Sequence, residues 1–107
     1  MKNTIRIIAA FAVVLFMMSA TGFAETSGEV LYKSKCQMCH GAKGMADTGA
    51  AKAMKVKPIN DPAVKGLSET KMIEAVRDGM GKMQPYKGKL TDAQIKDAVT
   101  QFRTFLK

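Results

Sequence analysis

The chain has 107 residues; 17 are Lys or Arg, 9 are Asp or Glu and one is His, giving a formal net charge of +8. That length sets one domain, and two cysteines exclude a multi-bridge disulfide scaffold. The lysines are scattered and no recognition motif accompanies them, which argues against nucleic acid as a partner.

In chain order, the opening "MKNTIRIIAAFAVVLFMMSATGFA" reads as a targeting segment. Lys2 and Arg6 supply a basic start, and Ile7 to Met18 form an apolar run of 12 residues. Gly22 and Ala24 are the small residues a signal peptidase reads. A permanent span needs about 20 apolar residues. The expectation is therefore a signal peptide over 1–24, cleavage after Ala24, and a periplasmic domain over 25–107 without stable membrane insertion. Removing 24 of 107 residues leaves 83, a size at which a hydrophobic core alone is marginal. A bridge between cysteines three positions apart would close a tiny loop and stabilise little. Without Lys2 and Arg6 there remain 15 basic and 9 acidic residues, a net +6 suited to steering toward acidic-faced partners.

Three segments of the remainder carry helical signals, and no strand-like alternation is sustained, so the predicted class is all-α. The first helix runs from about Gly28 into the Cys36–His40 region. Gly41 to Leu67 follows, rich in Gly, Ala, Lys and Pro, with a short helix expected within "AAKAMKVK". A connection this long is uncommon unless it wraps around something the chain does not supply. The second helix, in "SETKMIEAVRDG", has Ser68 as N-cap, Glu69 in its first turn and Gly79 just past its end. Met72, Ile73 and Val76 share its apolar face. In the third, Thr91 and Gln94 make a capping box, and Leu90 and Ile95 occupy staple positions. Ile95, Ala98, Val99, Phe102, Phe105 and Leu106 repeat at helical spacing as one stripe.

Both cysteines and the only histidine lie in "SKCQMCHGAKG", Ser34 to Gly44. A zinc site needs four ligands, and no second cluster offers the fourth. A thioredoxin-like pair needs a βαβ context, which is absent from the pattern. A structural disulfide leaves His40 unexplained. C-x-x-C-H is the signature of covalent haem attachment, and its spacing has a physical reason. Two thiols on one helical turn can each bond one vinyl group, and the next residue offers its imidazole to the iron. Cys36, Cys39 and His40 are thus the expected attachment and ligand residues of one haem c held by two thioethers.

With one histidine, the sixth iron position falls to Met, Lys, water or nothing. Residues 25–107 contain Met38, Met45, Met54, Met72, Met80 and Met83. Met72 belongs to a core face, and Met38 lies inside the attachment motif. The stretch "GMGKMQPYKGKL" has glycines that permit close backbone approach and a stiffening Pro85. Met83 is the expected distal ligand, with Met80 the alternative. A His/Met pair raises the reduction potential, as in cytochromes c.

Together, "GEVLYKSKCQMCHGAKG" and "KMQPYKGKLTDAQIKDAVTQFRTFLK" resemble the small bacterial class I cytochromes c over Gly28 to Lys107. The resemblance implies the class I cytochrome c fold, three main helices and long loops wrapped around one haem. By it, Cys36 and Cys39 match the thioether cysteines, His40 the proximal ligand and Met83 the distal one. Gly28 and Tyr32 match first-helix positions that pack on the last helix, with Val99 and Phe102 as counterparts. Pro58 matches the residue whose carbonyl orients the ligand histidine. Gln84 departs from the pattern, since many members place proline directly after the ligand Met. The implied function is a soluble, monomeric one-electron carrier and not an enzyme. Lys43, Lys52, Lys55, Lys57, Lys82 and Lys87 flank the loops that would rim the haem edge and face acidic redox proteins or respiratory complexes. The alternatives are a haem-bearing subunit of a larger respiratory complex and a five-coordinate haem protein with peroxidase or gas-binding activity.

Overall fold

The computed structural model describes residues 27–106, so the signal peptide read at 1–24 lies outside the described residues. Helix α1 (Gly28–Leu31) starts at Ser27, whose hydroxyl accepts the Val30 N–H at 3.3 Å. It passes into a π-helical turn, Tyr32–Cys36, and then into α2 (Gln37–His40). The first helix therefore spans the expected residues but is not uniform. Within it the Gln37 N–H bonds the Tyr32 carbonyl, five residues back. Such widened turns are rare and recur at functional positions.

Two short helices interrupt the long connection. Thr48 caps α3 (Gly49–Met54), accepting the Ala51 N–H at 3.0 Å while its hydroxyl donates to the Met38 carbonyl at 2.6 Å. The cap thus fastens α3 to the attachment turn. Helix α4 (Pro62–Lys65) was not among the predicted elements, although Asp61 as cap with proline at the first position is a sound local start. Helices α5 (Glu69–Asp78) and α6 (Asp92–Arg103) follow, capped by Ser68 and by the Thr91–Gln94 box as the sequence predicts. Helix α6 stops at Arg103, so Phe105 and Leu106 of the predicted stripe lie beyond it. Phe105 still reaches the core by meeting the Tyr32 ring edge-on at 5.3 Å. Among the described residues there is no β-strand, only isolated pairings of Met80 with Met83 and of Lys87 with Leu90.

Packing is organised around α6. On one side α1 crosses it so closely that a Cβ on Gly28 would collide with the Asp97 carbonyl oxygen. The resemblance implied that Gly28 packs on the last helix with Val99 as a counterpart; it packs there, and the backbone it meets is that of Asp97. On the other side Met72 of α5 is buried with Ile95 and Val99, and Val64, Leu67, Ile73, Val76, Tyr86, Leu90 and Phe102 pack around them. Full burial of one such aliphatic side chain is worth about 1.5–3 kcal/mol. The Arg103 guanidinium donates to the Leu67 carbonyl at 3.0 Å, tying the α4–α5 connection down to α6.

Among the described residues few side chains are buried: Leu31, Tyr32, Ala51, Ile59, Met72, Ile95, Ala98 and Val99. Phe102, Phe105 and Met83 remain partly open. A core this thin is short of material for a domain of its length.

Candidate functional site

The attachment turn is held from behind by aromatic side chains. The Tyr32 ring stacks on Phe102 with centroids 6.0 Å apart and planes inclined by 19°, as the resemblance implied. Its hydroxyl donates to the Gly41 carbonyl at 2.5 Å, anchoring the chain where it leaves α2. Phe102 also meets the His40 imidazole at 5.1 Å. The loop beyond the motif is stitched back by the Ala46 N–H donating to the His40 carbonyl at 2.8 Å and the Ile59 N–H donating to the Gly44 carbonyl at 2.7 Å. Gly44 has no room for a side chain, since a Cβ there would lie 3.0 Å from Phe102 and 3.1 Å from Ile59.

These contacts set the electrostatics of the motif. Cys36 and Cys39 are free and partly buried. Burial, with the neighbouring charge of Cys39, pushes the Cys36 thiol up to about 11, so it stays uncharged at neutral pH. Burial lowers the His40 imidazole below its ordinary value and keeps it neutral. Its Nδ1 is buried without a hydrogen-bond partner. The bond to the Pro58 carbonyl that the resemblance implied for this ring is therefore not made; that carbonyl accepts the Asp61 N–H at 3.0 Å, which leaves its second lone pair open. The turn at 58–61 leads into the Asp61 cap of α4, and the contact the ring does make is with Phe102.

The methionine loop is built on α5. At Gly79 the chain reverses with φ of 81°, and a Cβ there would press on the Met83 carbonyl oxygen at 2.9 Å and the Pro85 nitrogen at 3.1 Å. Only glycine fits. Met80 and Met83 then exchange backbone bonds, Met83 N–H to the Met80 carbonyl at 2.9 Å and Met80 N–H to the Met83 carbonyl at 3.3 Å. Next, the Tyr86 N–H donates to the Val76 carbonyl at 2.9 Å and the Lys87 N–H to the Arg77 carbonyl at 3.0 Å, fixing the loop along the end of α5. Met83 is half-buried, whereas Met80 is 61% exposed and Met38, inside the motif, is 75% exposed. Cys36, Cys39 and His40 share one turn, and Met83 is joined to that turn through Tyr86, whose hydroxyl donates to the Lys35 carbonyl at 3.0 Å. Sequence reasoning passed over Tyr86; the only aromatic residue in "GMGKMQPYKGKL", directly after Pro85, was the available signal.

These side chains fit a haem better than a bare ion. Among the described residues no group of three His, Cys, Asp or Glu converges as a metal site. Two free thiols and a neutral imidazole instead follow one another along one stretch of helix, the donor set that two thioethers and one iron ligand would use. A thioether carries no charge and suits the half-buried surroundings of both sulfurs.

The helical fold, the two thiols and the neighbouring imidazole together define a small class I c-type cytochrome. A family model described as "Cytochrome C oxidase, cbb3-type, subunit III" matches residues 23–100, and the chain belongs to that family. A solved structure, "KustC0563 c-type cytochrome", superposes with a TM-score of 0.68 at 30% identity, covering 76% of this chain and 99% of that one. No curated protein matches the sequence. The chain therefore carries a cytochrome c domain of the haem-binding, electron-transferring kind.

Proposed function

We propose that the protein is a monohaem carrier that moves single electrons between redox partners outside the cytoplasm. Cys36 and Cys39 would hold the haem by two thioethers, and His40 and Met83 would fill the two axial positions of its iron. When bound, the haem supplies a ferric–ferrous couple that accepts and returns one electron. The observation that carries the ligand set is the union of the Met83 loop with the attachment turn through the Tyr86–Lys35 hydrogen bond. Met83 is favoured over Met80 because it is the more buried of the two at the same reversal of the chain.

The chain's own work follows from this arrangement. If His40 and Met83 both held the iron, no ligand position would be left for a substrate, and a carrier would be favoured over an enzyme. Tyr32, Phe102 and Ile59 shield the ring of His40 and the loop behind it from water. Two thioethers and a neutral imidazole would add no fixed charge beside the electron that arrives. Lys43, Lys52, Lys55, Lys57, Lys82 and Lys87 are all exposed, free to face an acidic partner.

A second reading, a subunit held in a respiratory oxidase, is favoured by the family's own description. Among the described residues no helix is long and apolar enough to cross a membrane, so such a subunit would dock by its surface or by segments outside them. The test is to isolate the protein from cells that attach haem and to record its mass and its oxidised and reduced spectra. A mass raised by one haem, reversible reduction and a monomeric hydrodynamic size support the carrier. A colourless chain of unmodified mass overturns both readings, and co-isolation as a fixed stoichiometric complex favours the second.

A further inference from the structure

The Tyr86 side chain joins three parts of the molecule that are distant in sequence. Its ring packs against the cluster of Met72, Ile95 and Val99. Its backbone N–H is bound to α5 through Val76, and its carbonyl accepts the N–H groups of Lys89 at 2.9 Å and Leu90 at 3.0 Å, just before the α6 cap. Only its hydroxyl reaches the attachment turn, where it donates to the Lys35 carbonyl at 3.0 Å across 51 residues of sequence.

That carbonyl sits in the π-helical turn Tyr32–Cys36, immediately before the first cysteine. The widened turn offsets the helical bonding register, so backbone groups within it look outside the helix for partners. The Met83 loop has no other side-chain hydrogen bond to this turn among those the described residues make. Its remaining bonds run to α5 or stay within the loop. Burial raises the Tyr86 phenol above its ordinary value, so the hydroxyl keeps its proton and remains a donor at neutral pH.

We infer that Tyr86 is a positioning residue whose hydroxyl latches the Met83 loop to the Lys35 carbonyl and sets how often that loop swings away from the attachment turn. The inference rests on the proposed ligand set only for its consequence at the iron. The latch itself is a property of the polypeptide. Removing the hydroxyl leaves the ring in the core and frees the loop, which then opens more often while α6 stays closed.

The experiment compares the haem-loaded protein with its Tyr86→Phe and Tyr86→Leu variants by amide hydrogen exchange. In Tyr86→Phe the hydrogen-bonded amides of Met80, Met83 and Tyr86 should exchange roughly fivefold faster, the factor expected for one ordinary hydrogen bond. The amides of Ile95 and Val99 should be unchanged. Tyr86→Leu should accelerate both sets, because it also empties part of the core. Equal exchange at Met80 and Met83 in Tyr86→Phe and in the unsubstituted protein overturns the latch, and so does an acceleration shared equally by Ile95 and Val99. The near-infrared sulfur-to-iron band gives a separate readout: in Tyr86→Phe it should vanish at a lower urea concentration. If the unsubstituted protein lacks that band, the Met83 assignment falls, and the exchange rates still decide the latch.

Discussion

Gly28 lies directly against the backbone of Asp97, with no space between them for a single added carbon. The carbonyl carbon of Asp97 would stand 2.8 Å from a Cβ at position 28. This contact fixes the depth of the α1–α6 crossing, and through it the height at which Tyr32 enters between Phe102 and Phe105. Backbone cannot give way as a side chain can. Gly28→Ala should therefore cost about 1–3 kcal/mol, in the range of overpacked cores. A urea titration followed by helical circular dichroism measures it, and a variant as stable as the parent would mean that the helices cross farther apart.

Phe102 touches both the buried Tyr32 of the π-helical turn and the imidazole of the motif. It also presses on the space beside Gly44. Phe102→Leu preserves apolar bulk but loses the flat contact with His40, and should cost about 1–2 kcal/mol. Its more telling effect is on the ring. With Nδ1 unpartnered, little besides Phe102 defines the imidazole plane, so nuclear magnetic resonance of the ferric variant should find the His40 resonances shifted or broadened. Unaltered His40 resonances would show that the ring is held by something else.

The parts of this molecule that were legible in the sequence are those fixed by local chemistry. Ser68, Thr91 and Gln94 cap their helices because a cap needs only its own first turn. The C-x-x-C-H motif is legible for the same reason. The π-helical turn was not, because it goes with contacts made outside the helix: Tyr32 is wedged between Phe102 of α6 and Phe105 past its end, and is bonded to Gly41. Pro58 was assigned by resemblance, and whether its carbonyl meets His40 depends on how the loop at 58–61 sits against the motif, which local sequence does not encode. Tyr86 has no periodic pattern to expose it, since its importance lies in a partner 51 residues away.

Acid should weaken the fold in two stages, both of the same sign. His40 has its folded pKa lowered by burial, so its contribution is complete above the ordinary value near 6.5 and is lost as pH falls through the folded value. An iron atom on the ring acts in the same direction, because metal and proton compete for one lone pair. Glu29, bonded to Lys33, and Asp78, bonded to Arg77, are also lowered, and their support disappears at more acid pH. Both carboxylates are exposed, and the second stage should be the smaller. Urea midpoints measured between pH 8 and pH 4 should be level at first and then decline. A midpoint that rises from pH 7 to pH 5 would contradict the buried, neutral imidazole.

Met80 and Met83 stand at the two ends of one reversal, joined by reciprocal backbone bonds, and they differ in what a substitution should do. Met80 is 61% exposed, so Met80→Ala removes a solvated side chain and should leave the sulfur-to-iron band and the stability nearly unchanged. Met83 is half-buried beside the glycine reversal that only a side-chain-free residue can make. Met83→Ala should abolish the band and open the iron to carbon monoxide. It should also lower the reduction potential, because the thioether favours the ferrous state relative to more donating ligands. The helices should persist in both variants, since neither methionine belongs to the Met72–Ile95–Val99 cluster. If the outcomes are reversed, and Met80→Ala loses the band while Met83→Ala keeps it, then the loop must turn over on haem binding. Tyr86 would then have to release Lys35, a change that the exchange of the Tyr86 amide would register in the same samples.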